Sequence, residues 1–301
     1  MSINTALPSS GAISLGDVQT EFGGSNPVSM NEYYRDSSYT NHDGVGVAAF
    51  NSSVPTGSSV AMNQFYGGIG SYIVTISSST TNFNLRNHLV NTLGWNQSAA
   101  VAIHIVINSG IVVSATSTGT AALTCNLTSG SLLSILNNGT IVGKGGAGGS
   151  GGSPGNNGGS GGAGGHAIDL QNIGQGVLIT NNNVIGGGGG GGGGNGGYRG
   201  HGSSNDHENN CSGGVQASGA AGGKGRDTTA AGHNGGNYGA SGSNGAAGGA
   251  TGCGPVNGSG GAGAAGGKAI RHVSGVGAQT INGSATHTYN NTNGIGGTVD
   301  T

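Results

Sequence analysis

The sequence predicts a mainly β and irregular chain. It divides into an N-terminal docking zone (1–70), a short β domain (71–142) and a bundle of glycine-rich helices with exposed loops and a closing C-terminal strand (143–301). Three observations predict this. Short β-branched segments bounded by Gly, Asn and Ser fill 71–142. Glycine, 72 of 301 residues, recurs with a period of three through much of 145–267. Charged residues make up only 6% of the chain and aromatics 4%, too few for a globular domain with an ordinary core and surface.

The first zone carries a recurrent pattern: AISLGDVQTEFGG (12–24), PVSMNEYYRD (27–36) and SVAMNQFYGG (59–68). Each runs from a Leu or Met through polar residues to Phe or Tyr. The anchors are Leu15, Val18 and Phe22, then Met30, Tyr33 and Tyr34, then Met62, Phe65 and Tyr66. Two readings stand side by side. These residues are docking anchors that wrap a partner, or they are the core of a small helix-strand cap.

In the second zone SYIVTISS, VAIHIVIN, GIVVSAT and AALTCNL read as strands of a sandwich-like or solenoid-like domain. Val101, Ile103, Ile105 and Ile107 share one face of their strand, so that face is buried. His104 reads as a hydrogen-bonded structural residue.

In the third zone the phase of the glycine matters more than its amount. GGAGGSGG (145–152) and GGSGGAGG (158–165) place their non-glycines three apart, and SPGNN (153–157) between them is a turn signal. Gly219, Gly222 and Gly225 keep the period, as do Gly239, Gly242, Gly245 and Gly248. Three residues per turn is the polyproline II period, at about 3.1 Å per residue, so a run of eight spans about 25 Å. Such a helix has no internal hydrogen bonds. Packed against its own kind it can pair its backbone groups laterally, provided that glycine lets the chains approach. The unbroken block Gly186–Gly194 carries no phase by itself.

An internal repeat frames these runs. ILNNGTIVG (135–143) matches LITNNNVIG (178–186) at an offset of 43, and GGAGGHAIDL (161–170) matches GAAGGKAIRH (263–272) at 102. The extra length lies inside the glycine block, and a frame that accepts a large insertion at one place presents that place to the outside. The insertions NGGYRGHGSSNDHENNCSG (195–213) and KGRDTTAAGHNGGNYG (224–239) are therefore the candidate binding loops. Their residues are Tyr198, Arg199, His201, Asn205, Asp206, His207 and Glu208, then Arg226, Asp227, His233, Asn237 and Tyr238. Flat aromatics with amide, carboxylate and guanidinium partners suit a glycan or an exposed protein loop.

Several classes are not expected. A net charge of −2 with scattered Lys and Arg does not make a nucleic-acid surface. No apolar run reaches 18 residues, and MSINTALPSS does not read as a secretory leader, so synthesis in a cytoplasm is expected. His201, Asp206, His207, Glu208 and Cys211 fit no zinc spacing, and there is no CxxC. Cys125, Cys211 and Cys253 are an odd set at unrelated spacings. No separated pair of carboxylates suggests a hydrolase. The expectation is a non-enzymatic chain without metal or cofactor.

The glycine blocks with connecting loops, and segments such as ILNNGTIVGKGGAGG, resemble the distal receptor-binding adhesins of T-even-type bacteriophage tail fibres. ISLGDVQTEFGG and NQFYGG resemble recurrent segments of tailed-phage structural proteins. The resemblance implies a sandwich of polyglycine II helices whose loops touch a host receptor, either a surface glycan or an outer-membrane protein. It implies a virion location, with tail or fibre proteins as partners of the N-terminal zone. A threefold fibre could carry one copy or a homotrimer. The alternative is a purely structural virion component, such as a fibre, baseplate or capsid decoration.

Overall fold

The computed structural model describes residues 7–8, 10–22, 26–27, 29–33, 54–55, 60–66, 71–95, 97, 100–174, 176–199, 216–217, 227–228, 231–232, 235–247, 256–282, 295–296 and 299. Tyr34, His201, Asn205, Asp206, His207, Glu208, Cys211, Arg226, His233 and Cys253 lie outside them.

Helix α1 (Leu15–Phe22) opens the first zone. Its start is a reciprocal cap: the amide of Asp17 donates to Ser14 Oγ (3.1 Å), and the amide of Ser14 donates to the Asp17 carboxylate (2.7 Å). Short 3₁₀ turns follow at Met30–Glu32 and Met62–Phe65. Val18, Tyr33 and Phe65 are fully buried together with Leu7 and Val54, and Leu15, Met30 and Met62 pack around them. Tyr33 and Phe65 meet edge to face, 6.5 Å between ring centres. Most of the expected docking anchors thus face one another in a small core. Among the described anchors Tyr66 is exposed, its hydroxyl donating to the Gly11 carbonyl.

From residue 71 the chain winds through three parallel sheets, visiting each in turn. The first coil is β1 (Ser71–Ile76), β2 (Thr80–Thr81) and β3 (Phe83–Asn84). The second is β4 (Ala102–Ile107), β5 (Val112–Ser114) and β6 (Leu123–Asn126), and the third β7 (Leu132–Asn137), β8 (Thr140–Val142) and β9 (Ile168–Ile173). The fourth begins with β10 (Val177–Asn181) and β11 (Val184–Gly186). Of the later strands, β12 (Tyr198–Arg199), β13 (Gln216–Ala217) and β14 (Val256–Asn257) form a separate antiparallel sheet. The fourth coil closes only with β15 (Ile270–Val276), and β16 (Gln279–Asn282) and β17 (Ile295–Gly296) begin a fifth. The sheets are therefore β1-β4-β7-β10-β16, β2-β5-β8-β11-β17 and β3-β6-β9-β15. Their strands come from both sides of the expected boundary at 142, and the C-terminal strand closes against β11.

Register follows side-chain type. Val74, Ile105, Ile135, Ile179 and Ile281 occupy one row of the first sheet. With Leu123, Ile168 and Ile270 from the third sheet they build the main core. Each such burial contributes roughly 1.5–3 kcal/mol. His104 is fully buried on the opposite face, its Nδ1 3.0 Å from Ser134 Oγ. At the turn into the second sheet, buried Asn137 donates to Asn181 Oδ1 (2.7 Å) and to the Val184 carbonyl (3.1 Å). This ladder sets the strand offset between coils at 44, Ile135 opposite Ile179, rather than the 43 of the sequence match. A slip of one residue would turn every side chain to the other face. The same register runs on into the glycine segments, where Gly143 N–H donates to Gly186 O and Gly146 N–H to Gly189 O. The offset of 102 is the register between β9 and β15 from Ile168 to Leu170, and an irregularity between His272 and Ser274 shifts the later pairs by one.

Helix α2 (Leu85–Leu93) follows β3 and buries Leu85 and Leu89. Asn84 caps it through Asn87 N–H, and Gly94 ends it at φ 70°. Arg86 lies over buried Trp95, 5.1 Å from the ring centre.

Candidate functional site

The passage from the second sheet to the third grows from coil to coil. It is Asn82 in the first coil and 115–122 in the second. In the third it is 143–167, and in the fourth 187–269. Both glycine-rich excursions thus leave the solenoid at one corner, in successive coils.

Outside β12–β14, the described parts of these excursions form neither strand nor helix, yet their backbone is paired at every third residue. Run 143–152 donates to run 186–195 from Gly143, Gly146, Gly149 and Gly152. The returning run 158–165 donates to 144–150 from Gly159, Gly162 and Gly165, and to 259–265 from Gly158, Gly161 and Gly164. Run 187–197 stands at the centre. It donates to 156–165 from Gly188, Gly191, Gly194 and Gly197, and to 240–246 from Gly190, Gly193 and Gly196. It also accepts from Gly258, Gly261, Ala264 and Gly267.

The central position explains the unbroken glycine. A Cβ added at Gly189 would stand 1.9 Å from Gly236 O, one at Gly190 1.9 Å from Ala264 O, and one at Gly191 1.8 Å from Ala147 O. Three consecutive residues thus face three different neighbours, and no side chain fits on any side. The outer runs have a free side, and there Ala147, Ser150, Ser160 and Ala163 are exposed at the period of three.

The far end of the runs collects polar groups. The turn Ser153–Asn157 joins the first two runs there, its Asn156 amide donating to Ser153 O (2.8 Å). Asn157 Oδ1 accepts from Ser259 N–H (2.7 Å) and Asn195 Oδ1 from Ala246 N–H (2.9 Å), so asparagines replace missing backbone partners. Beyond Gly197 the chain enters β12, flanked by β13 and β14.

The structure separates the candidate residues. Tyr198 and Arg199 are on β12 at the far end. Asp227, Asn237 and Tyr238 are at the base, beside the solenoid. Asp227 is 2% exposed and pairs with Lys144 Nζ at 2.9 Å. Tyr238 is buried against Val142, Val184 and the backbone of Gly186. A buried carboxylate with a cation, and a ring packed on valines, serve the fold; neither side chain is presented to solvent. Asn237 is exposed, and its carbonyl accepts from Ala240 N–H. Sequence reasoning passed over Lys144, although it is the only Lys, Arg, Asp or Glu between Arg86 and Asp169.

Burial, aided by the Asp169 charge, pushes the Cys125 thiol far above its ordinary range. Among the described residues no three His, Cys, Asp or Glu side chains converge as a metal site, and no helix is long and apolar enough to cross a membrane.

Residues 71–299 match the family model described as phage tail fibre adhesin Gp38. The chain belongs to this family. The adhesin is accordingly a phage tail-fibre component, built mainly of parallel β-sheets, with few helices among the described residues. Among solved structures it is similar to the gp37–gp38 adhesin tip complex of the bacteriophage S16 long tail fibre, at 18% identity, covering 84% of this chain and 90% of that one, with a TM-score of 0.36. No curated protein sequence matches the adhesin.

Proposed function

We propose that this adhesin binds a host surface receptor at the far end of its glycine-rich bundle, without catalysis. The single observation that carries the reading is the shared corner. Two excursions leave one solenoid side and converge on one end, which is free of the solenoid's own packing. In this reading the runs are polyglycine II-type helices, supported by lateral bonds at every third residue and by the steric need for glycine at the centre. Tyr198 and Arg199, with the neighbouring loop residues His201, Asn205, Asp206, His207 and Glu208, contact a glycan or an outer-membrane protein. The N-terminal zone attaches the adhesin to other tail-fibre proteins, and among its described residues Tyr66 is an exposed aromatic available there.

Purified adhesin adsorbed to host cells tests this. Tyr198→Ala with Arg199→Ala lowers cell binding at least tenfold while the melting temperature holds. Unchanged binding would favour a purely structural virion role.

A further inference from the structure

We propose that Lys144, Asp227 and Tyr238 form a clasp that locks the base of the long excursion to the solenoid and to the shorter excursion. The clasp fixes where the far end stands. The inference goes beyond receptor binding and does not depend on it.

Three described contacts meet at one place. Lys144 is the second residue of the third-coil excursion, immediately after the β8 strand and Gly143. Its carbonyl accepts from Gly165 N–H, and its side chain reaches Asp227 of the fourth-coil excursion at 2.9 Å. The carboxylate is 97% enclosed while the ammonium stays one-third open (side chains 3% and 38% exposed). An enclosed carboxylate requires a partner of opposite charge, and the lysine stem is long enough to meet it from the solvent side.

Eleven residues after Asp227, Tyr238 returns to the same sheet. It covers the outer side of β11 so closely that a Cβ on Gly186 would meet its Cγ at 2.8 Å. Val142 and Val184 complete its seat, with Val112 packed alongside. Its neighbour Gly239 donates to Gly187 O, and Gly236 donates to Gly190 O. From there run 240–246 begins its outward course. The ion pair and the ring therefore hold a run that could otherwise slide along the central one, since every third-residue register offers the same backbone bonds.

Hydrogen exchange of the intact adhesin tests the clasp. Lys144→Met accelerates exchange of the Gly236 and Gly239 amides at least tenfold, and leaves Gly146, Gly149 and the β4 amides at wild-type rates. Gly186→Ala, which displaces the ring and keeps the charges, gives the same local pattern. Arg271→Met, which breaks the Asp169 pair on the third sheet, leaves Gly236 and Gly239 unchanged. Wild-type exchange at Gly236 and Gly239 in both test variants overturns the proposal. So does acceleration spread evenly over the runs and sheets. If Lys144→Met does not fold, the double variant with Asp227→Asn restores folding with fast Gly236 and Gly239; failure of the double variant to fold also overturns it.

Discussion

At the scale of single residues, a hydrogen atom in place of a methyl group decides the packing of the central run. Gly190→Ala or Gly191→Ala would drive a Cβ to within 2 Å of a neighbour's carbonyl oxygen. Overpacking of this kind costs about 3 kcal/mol where the surroundings are rigid, and here the surroundings are backbone. Thermal melting of either variant should fall accordingly, whereas Ser160→Ala, on an exposed outer position, should change stability by less than about 0.5 kcal/mol. Cys125 offers a second test. Its enclosed thiol, pushed up by burial, stays protonated and inaccessible, so alkylation at pH 8 should follow global unfolding and not precede it.

At the scale of elements, local chemistry explains both helices. Ser14→Ala removes the cap of α1 and should cost the N-terminal module about 1 kcal/mol, read as loss of helical signal on heating. Hydrogen bonds from the Ser14 backbone and side chain hold the Asp17 carboxyl below the usual carboxylate range. A lowered folded pKa means that this contribution is present above the unfolded value and is lost as pH falls through the folded one. Amide resonances of α1 should therefore weaken below about pH 4 and be indifferent between pH 5 and 8. The same local signals were open to sequence reasoning for α2, where Asn84 and Gly94 bracket Leu85 and Leu89. A nine-residue helix between strands was hidden by the β-rich pattern around it.

At the scale of the whole molecule, the glycine period carries the lateral pairing and the sequence repeats carry the sheets. Amides of Gly146, Gly149, Gly191 and Gly194 should exchange over hours in the intact adhesin; exchange within seconds would contradict the paired runs. The strands of 71–142 and the offset of 102 were legible because β-branched alternation and a repeated Ala-Ile pair report directly on buried rows. The offset between Ile135 and Ile179 was read one residue short, because the asparagine pair that fixes it is matched by chemistry rather than by the surrounding string. The candidate loops were legible as insertions, but not their division between two ends. Asp227 and Tyr238 look like surface chemistry in a polar segment; in the fold Asp227 is enclosed where it pairs with Lys144 of the other excursion, and Tyr238 where run 236–246 returns to β11.

The shared corner also governs how the molecule bears force. A pull on the far end acts along the runs, so their lateral hydrogen bonds are loaded in shear and must yield together rather than one at a time. The load then divides between two neighbouring coils, each already stitched into three sheets. A load applied at such an end is therefore shared by the whole set of lateral bonds, and the runs do not unzip.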